Sequence, residues 1–376
     1  MTSAAELRHA LHAYPELSGE ESATAARLKS FFAPLCPDET VEGLGGSGIA
    51  FVFSGPRPGP TVLLRAELDA LPIDERIDLP HRSRRPGVSH KCGHDGHMAI
   101  LAAVGEVLAR ERPARGRVVL LFQPAEETGA GAQAVVADPG FARIRPDAAF
   151  GLHNVPGFPR GQLVVRAGTF SCASRGLVMA LAGRPAHAAQ PETGRSPARA
   201  LAALIEGFYA LPGGIAEDGE LCFATVVGAN MGGANFGVAP GDAELCVTLR
   251  AETDATMARL VAHAEALLAT QVERYGLSAD ARYCDVFDAT VNSPAAVELI
   301  RNACRDLDLV EAAEPFRWSE DFGRFTQVAE GAFFGLGAGM DVPALHNDDY
   351  DFPDALIETG REAFLRIARA ALGGDA

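Results

Sequence analysis

The sequence predicts an α/β protein in which a mixed-sheet domain is interrupted by an inserted α+β domain of the ferredoxin-like type. Short apolar runs bounded by glycine and proline alternate with helix-like segments at both ends of the chain. Between residues 168 and 282 the order changes to strand, helix, strand, strand, helix, strand. The 376 residues suffice for two to three domains of about 150 residues each. We therefore expect a first segment 1–167, an inserted domain 168–282 and a second segment 283–376 that completes the first domain.

The first segment begins with helix-like apolar spacing and continues with strands. Helix-like spacing over 3–13 and 19–34 is broken by Tyr14-Pro15 and by Ser18-Gly19. The strand and helix patterns that follow are strands Gly48–Ser54 and Thr61–Glu67, helix Gly96–Arg110, and strands Arg117–Gln123 and Asp147–His153. This alternation predicts a partly parallel sheet that helices cover on both faces.

The middle of the chain predicts a self-contained unit. Its patterns, in order, are strand Gly176–Gly183, helix Ser196–Leu211, strands Leu221–Val227 and Ala243–Glu252, helix Ala255–Tyr275 and strand Ala279–Val286. This order closes into a four-stranded antiparallel sheet with two helices on one face. From residue 287 the earlier alternation returns, with a strand at Gly331–Leu336 and a helix from about Pro353 onward.

Composition and charge exclude several classes of function. Hydrophobic residues make up 48% and charged residues 22% of the chain, which is typical of a globular protein. The chain has 33 basic and 49 acidic residues, and its net charge of −16 argues against binding to nucleic acid or to anionic lipid. We find no signal peptide, no apolar run long enough to span a membrane and no CxxC pair among the seven cysteines. We therefore expect a cytoplasmic protein with mostly reduced thiols.

Residues of types that commonly bind metals lie at or after the ends of several predicted strands. Cys92, His94, Asp95 and His97 lie in the segment HKCGHDGH, where a helix should begin. Further candidates follow strands or end them: Glu126, Glu127, His153 and His346. Because ligands bind outside the carboxyl ends of strands in open α/β sheets, we expect these segments to converge in one cleft.

The residue types in this cleft indicate a transition-metal site. Thiolate, imidazole and carboxylate together suit zinc, manganese, cobalt or nickel better than magnesium or calcium. The candidates exceed what one closed tetrahedral site needs, which favours two ions that share a bridging ligand. One of the two adjacent glutamates would bind metal while the other takes a proton from water, and their spacing leaves open which does which. Each residue alone is more often an ordinary core or surface residue, so the inference depends on their combination.

A series of motifs along nearly the whole chain resembles the M20 metallopeptidases. The resemblance is to the amidohydrolase branch, which includes hippurate hydrolases, N-acyl-amino-acid deacylases and auxin-conjugate hydrolases. The motifs are HAYPELSGEE (12–21), RAELDALPI (65–73), HKCGHDGHMA (90–99), QPAEE (123–127), GLHNVPGFPRG (151–161), AHAAQPETGRSP (186–197), GGANFGVAP (232–240), SEDFG (319–323) and LHNDDYDF (345–352).

The resemblance implies a catalytic domain that holds two divalent metal ions and an inserted lid domain that can also dimerise. The metals it implies are zinc or manganese, with nickel or cobalt also compatible. By position, the implied metal ligands are Cys92, His94, Glu127, His153 and His346. Glu126 corresponds to the general base, and His187 to a histidine that polarises the scissile carbonyl. Asp69 and Asp95 correspond to residues that orient ligands, although either could instead cap a helix or turn.

The implied reaction is hydrolysis of the amide bond of a small N-acyl amino acid or related amide, in which Glu126 activates a metal-bound water. The lid motifs depart from the family at Glu192, Ser196 and Gly237, where the family usually has histidine, aspartate and asparagine. Asn235 can replace the missing amide and Arg250 can receive a substrate carboxylate. Gain of Glu192 with loss of an imidazole suggests a shift toward less anionic or partly cationic substrates.

Two kinds of alternative function remain open at this point. Within enzymes, a dipeptidase or an aromatic-amine hydrolase could use the same centre. From another class, the chain could be an interaction module that a metal merely stabilises, although such a module needs neither a free base like Glu126 nor a carbonyl partner like His187. We expect a homodimer through the inserted domain, and a small N-acyl compound as the partner.

Overall fold

The computed structural model describes residues 3–217 and 219–374, which form two compact units. The first unit contains the residues up to Phe170, Thr290–Pro315 and the residues from Glu320 onward. The second unit contains Ser171–Ala289 and Phe316–Ser319. The first unit is therefore discontinuous in sequence, because the second is inserted into it.

The described residues form helices and strands throughout both units. The helices are α1 (Ala4–Ala13), α2 (Ser22–Phe32), α3 (His94–Arg110), α4 (Gly131–Ala137), α5 (Phe141–Ile144), α6 (Ala198–Ala210), α7 (Asp254–Tyr275), α8 (Pro294–Ala303), α9 (Gly323–Thr326) and α10 (Leu356–Ala371). The strands are β1 (Glu39–Leu44), β2 (Gly48–Ser54), β3 (Thr61–Glu67), β4 (Arg117–Gln123), β5 (Ala148–Pro156), β6 (Leu163–Val165), β7 (Gly168–Ser171), β8 (Ala173–Ala182), β9 (Ala186–His187), β10 (Cys222–Met231), β11 (Val238–Ala239), β12 (Asp242–Ala251), β13 (Ser278–Phe287), β14 (Thr290–Asn292), β15 (Leu309–Glu311) and β16 (Glu330–Gly339).

The first unit is built on an eight-stranded mixed sheet in the order β1-β2-β4-β3-β5-β16-β6-β15. The four central strands β4, β3, β5 and β16 run parallel to one another. Glu67 at the end of β3 pairs with Gln123 at the end of β4, so these carboxyl ends lie side by side. Parallel strands of this kind place the segments that follow them at one edge of the sheet.

Helix α3 is the main element that covers this sheet. Its residues from His94 to Gly105 are all buried, and it packs against α1, α10 and β3. The close contact with α10 occurs at Gly360, where a Cβ atom would come within 2.5 Å of the Ile100 side chain. The buried part of α3 is thus enclosed by neighbours on several sides, and the HKCGHDGH segment ends in the first turn of this helix.

The second unit contains an antiparallel four-stranded sheet in the order β10-β12-β8-β13, with α6 and α7 packed on it. Relative to chain order this is the strand order of a ferredoxin-like fold. Alternate residues of β8, Leu177, Met179 and Leu181, are buried in a core that they share with Leu204 of α6 and Leu260 of α7. The predicted fold class, a mixed α/β domain with an inserted α+β domain, is confirmed.

Several strands continue beyond their predicted ends, among them β10 and β5. Strand β10 reaches Met231, because a bulge between Val226 and Gly228 lets its pairing with β12 continue. Strand β5 reaches Pro156, so His153 lies within the strand and not at its end, because pairing with β16 continues past it.

Two findings concern the membrane and the thiols. Within the part of the chain that the structure describes, we find no helix that is both long enough and apolar enough to cross a bilayer. All seven cysteines are free.

Candidate metal centre

Cys92 and His94 flank Gly93, which caps the amino end of α3. Gly93 has a φ of 92°, and a Cβ atom at this position would lie 2.4 Å from the side-chain oxygen of Asn154. Both the left-handed backbone and the close approach therefore require glycine. Cys92 is 7% exposed and His94 is fully buried, so this turn brings both side chains into the interior.

Three segments meet at the sulfur of Cys92. Its Sγ atom lies 3.3 Å from Nε2 of His153 in β5 and 3.4 Å from Nε2 of His346, which follows β16. The backbone N–H of His346 donates to the carbonyl of Lys91 at 2.9 Å, which fixes the 346 loop beside the segment that carries Cys92. His346 adopts a φ of 67°, an uncommon conformation for a residue other than glycine and one that clusters at functional sites.

Two glutamates approach the same place from the turn after β4. The His94 Nε2 atom lies 3.7 Å from Oε2 of Glu126 and 3.8 Å from Oε1 of Glu127. The other oxygen of Glu127 lies 3.9 Å from Nε2 of His346. The turn itself is held by Glu21, which accepts the backbone N–H of Ala125 at 2.8 Å. Glu127 therefore faces both His94 and His346, whereas Glu126 lies beside His94.

The donor atoms of this cluster fit metal ions. His94 Nε2 and Glu127 Oε1 are buried and have no hydrogen-bond partner, which is costly unless a bound cation satisfies them. Three overlapping groups each bring their donor atoms within 4.8 Å of one another: Cys92, His94 and His153; Cys92, Glu127 and His346; and His94, Glu126 and Glu127. Sulfur, nitrogen and oxygen donors in this mixture suit borderline divalent transition metals. Overlapping groups also fit two neighbouring ions.

The protonation equilibria of the cluster reflect its burial and its excess of negative charge. Burial and the carboxylates of Glu320 and Glu127 raise the pKa of Glu126 well above its usual range. Burial also raises the pKa of Glu127 to about 7. The pKa of the Cys92 thiol is raised by burial and by the neighbouring Glu127 carboxylate. A divalent cation here would reverse these shifts, because it is the largest local charge and deprotonates a thiol that coordinates it.

The two aspartates predicted to orient ligands have different neighbours. Asp69 links His94 to Glu127: its backbone carbonyl accepts from His94 Nδ1 at 2.9 Å, and its side chain accepts the Glu127 N–H at 2.9 Å. Asp95 instead accepts from Arg8 Nε at 3.1 Å and from His12 Nδ1 at 2.8 Å. Its hydrogen bonds thus anchor α1 to the start of α3, and none of them reaches a predicted metal ligand.

Three further candidates lie on exposed segments of the second unit. His187 lies in β9, and its Nδ1 atom accepts the Ala189 N–H at 3.0 Å, so the proton of the neutral ring is on Nε2. Asn235 accepts the Gly237 N–H through its side-chain oxygen at 3.2 Å. Glu192 is exposed in a short helical turn. Each of these polar groups is accessible to a small molecule.

Arg250 in β12 is a half-buried cation of the second unit. Its Nη1 atom donates to the carbonyl of Arg317 at 2.8 Å and to Oγ of Ser319 at 2.9 Å. Burial lowers the pKa of its guanidinium. The hydrogen-bond partners of Nη1 are thus uncharged oxygens, and neither is a carboxylate.

Arg65 was not singled out from the sequence, yet its fully buried guanidinium organises the ends of two central strands. It contacts Glu67 and donates to Oε1 of Gln123 at 2.8 Å. It also donates to Glu320 at 2.7 Å and to Asp321 at 2.6 Å. An arginine inside the apolar strand TVLLRAE was the available signal, because a charge in a buried strand must be paired.

Comparisons with known proteins identify the family of the chain. Residues 63–370 match the model of peptidase family M20/M25/M40. The chain is 31% identical to an N-acetyl-L-cysteine deacetylase of Bacillus subtilis, over 89% of this chain and 80% of that protein. It is 28% identical to a hippurate hydrolase of Campylobacter jejuni, over 96% of this chain and 95% of that protein.

A solved structure shares the fold over nearly the full length. It is the YXEP protein of Bacillus subtilis, described as a dinuclear metal binding peptidase from the M20 family. The TM-score is 0.82 at 23% identity, over 99% of this chain and 98% of that one. The match to the family model confirms the resemblance seen in the sequence motifs. The chain belongs to peptidase family M20/M25/M40 and is a hydrolase of amide bonds.

Proposed function

We propose that this protein is a metal-dependent amidohydrolase that cleaves a small N-acyl amino acid or a related small amide, with Glu126 as general base. The observation that carries the proposal is the buried donor cluster around Cys92 and His94, with Glu126 beside it. The family match and the similarity to a hippurate hydrolase and an N-acetyl-L-cysteine deacetylase support the class of substrate.

The residues proposed to hold two divalent ions are Cys92, His94, Glu127, His153 and His346. Zinc and manganese suit these donors, and nickel and cobalt are compatible with them as well. When bound, the ions would lower the pKa of water and stabilise the negative charge that develops on the substrate carbonyl. Asp69 would keep His94 and Glu127 in place, because it accepts a hydrogen bond from each.

Glu126 and His187 carry the proton transfers and the charge stabilisation in this proposal. Glu126 takes a proton from the attacking water and returns it to the leaving nitrogen. Its burial keeps bulk water away, which strengthens each electrostatic interaction. His187 donates a hydrogen bond from its Nε2–H group to the carbonyl oxygen in the transition state and keeps the proton.

The lid residues support a proposal on the amino-acid part of the substrate. Arg250, which has no carboxylate partner among the described residues, would bind the α-carboxylate, and Asn235 would bind the amide. The exposed carboxylate of Glu192 would favour a cationic side chain over an anionic one. A panel that compares N-acetyl-lysine with N-acetyl-glutamate tests this preference, and faster turnover of the acidic compound would refute it.

The central experiment measures hydrolysis and metal content together. The wild-type protein, depleted of metal and then reconstituted with Zn²⁺ or Mn²⁺, should lose and regain hydrolysis of N-acyl amino acids while it stays folded. Glu126→Gln should retain two equivalents of metal and lose turnover by at least about 10²-fold. An active Glu126→Gln variant would overturn the base assignment. A reconstituted protein that cleaves only dipeptides, or that unfolds on chelation without any activity, would overturn the proposed function.

A further inference from the structure

His97 is a buried histidine close to the proposed metal ligands. It lies one turn after His94 in α3, so the two side chains share a face of the helix. Its ring centroid is 5.6 Å from that of His94 and 4.8 Å from that of His153, and the residue is 1% exposed. His97 is of a type that can bind metals, but the family resemblance assigns no role to it.

Both ring nitrogens of His97 are already engaged by protein groups. The Nδ1 atom donates to Oε2 of Glu67 at 2.6 Å. The Nε2 atom contacts the side-chain oxygen Oδ1 of Asn154 and lies 3.2 Å from the backbone nitrogen of the same residue. A metal ligand needs a nitrogen lone pair that is free to coordinate. His97 is therefore occupied as a hydrogen-bonding residue, although its donor atoms lie near those of Glu67 and His94.

The contact with Asn154 connects His97 to a proposed ligand. Asn154 follows His153 directly, and the His153 Nδ1 atom donates to the Asn154 carbonyl at 2.9 Å. This bond places the proton of the neutral His153 ring on Nδ1 and leaves Nε2, which faces Cys92, as the basic nitrogen. The Asn154 side chain in turn donates to the Tyr350 hydroxyl at 2.7 Å. His97 and Tyr350 thus both contact the side chain of Asn154, the residue whose carbonyl orients His153.

The contact with Glu67 connects His97 to a rigid anchor. Glu67 is fully buried and is paired with Arg65, whose guanidinium also binds Glu320 and Asp321. Breaking one member of such a buried network leaves an uncompensated charge, so the network resists displacement. The position of the His97 ring is therefore fixed from the end of β3, on the side away from Asn154.

We infer that His97 is a positioning residue: held by Glu67, it fixes Asn154 and through it His153, without binding a metal ion itself. This inference rests on the metal roles proposed above for Cys92, His94 and His153. Groups that orient a ligating histidine typically contribute 10-fold to 100-fold to metal affinity or activity. His97 should therefore influence metal binding although no metal contacts it.

The test compares His97→Leu with His90→Leu in the full-length protein. His90 is a matched control, because it is equally buried at 1% exposure and both of its ring nitrogens lack hydrogen-bond partners. Metal dissociation constants are measured by chelator competition, and the visible spectrum of the Co²⁺-loaded protein reports ligand geometry. We expect His97→Leu to weaken metal binding about 10-fold to 100-fold, to change the Co²⁺ spectrum and to lower kcat more than KM. His90→Leu should leave affinity and spectrum unchanged.

A second variant separates positioning from mere packing. The side-chain NH2 group of His97→Gln can donate to Oδ1 of Asn154 and restore this contact, so this variant should recover part of the affinity and the wild-type spectrum. If His97→Leu does not fold, Asn154→Ala removes the side-chain oxygen that contacts Nε2 of His97, and so breaks this contact from the other side. Wild-type affinity and spectrum in the folded variant that lacks this contact would overturn the inference, as would loss of one whole metal equivalent from His97→Leu, which would make His97 a ligand. Failure of the wild-type protein to bind metal would instead refute the proposed function.

Discussion

Replacing His12 should remove a pH-dependent part of the stability of the first unit. His12 in α1 is fully buried between two carboxylates, with Nδ1 2.8 Å from Asp95 and Nε2 2.9 Å from Glu75. Burial alone would lower the pKa of this histidine, but Asp95 and Glu75 outweigh burial and raise it to about 9. We therefore expect His12→Gln to destabilise the protein more at pH 6 than at pH 10.

The magnitude and its sign follow from linkage between protonation and folding. A rise of the pKa from 6.5 to about 9 corresponds, at about 1.36 kcal/mol per pH unit, to about 3 kcal/mol. Because the pKa is higher in the folded state, this stabilisation is complete below pH 6.5 and is lost as the pH rises through 9. The pKa of Glu75 is lowered to about 2, mainly by hydrogen bonds that outweigh burial, so Glu75 stays ionised over this range.

The assay is urea unfolding of metal-depleted protein at pH 6 and pH 10, followed by far-UV circular dichroism. The gap in unfolding free energy between wild type and His12→Gln should shrink by about 3 kcal/mol between the two pH values. His9→Gln is a matched control on the same helix, because the His9 side chain is 39% exposed. A gap between wild type and His12→Gln that is the same at both pH values would refute the reasoning.

Two further changes test other parts of the structure. Gly93→Ala should lower the free energy of unfolding by about 2–4 kcal/mol and reduce activity, because the new Cβ atom would collide with Asn154. Gly87 also has a positive φ, of 74°, but open space surrounds it, so Gly87→Ala should lower the free energy of unfolding by only about 1 kcal/mol. Equal losses of stability for the two variants in thermal unfolding would contradict this prediction. We also propose that the protein forms a homodimer through β10, which is an edge strand and has Val227 63% exposed. Val227→Lys should shift the mass measured by light scattering to that of a monomer. A monomer mass for the wild-type protein would refute the proposed dimer.

The sequence was most informative where structure is determined locally. The apolar runs of β3 and β4 and the polar residues that follow them can be recognised residue by residue, and parallel pairing then brings their ends together. From this logic alone one expects Glu126 and Glu127 near the HKCGHDGH segment. The end of β5 was harder to predict, because the residues beyond His153 join the strand by pairing with β16, which is remote in the sequence.

Interactions between distant charged residues could not be predicted from the sequence. Asp95 lies in the metal-binding motif, but its partners Arg8 and His12 come from the first helix. Arg65 binds Glu320 and Asp321, which lie beyond the inserted unit. Only the folded chain shows which charges are paired, because nothing local to a charged residue specifies a partner that is far away in sequence.

The pairing of β5 with β16 has a consequence for synthesis on the ribosome. These neighbouring strands are separated in the chain by the entire inserted unit, whose own sheet closes between β8 and β13. The nascent chain can therefore complete the insert before the central sheet of the first unit has all its strands. Because His346 emerges only after β16, the proposed metal centre is among the last features to form, and an unfinished chain lacks the site that would capture a metal ion.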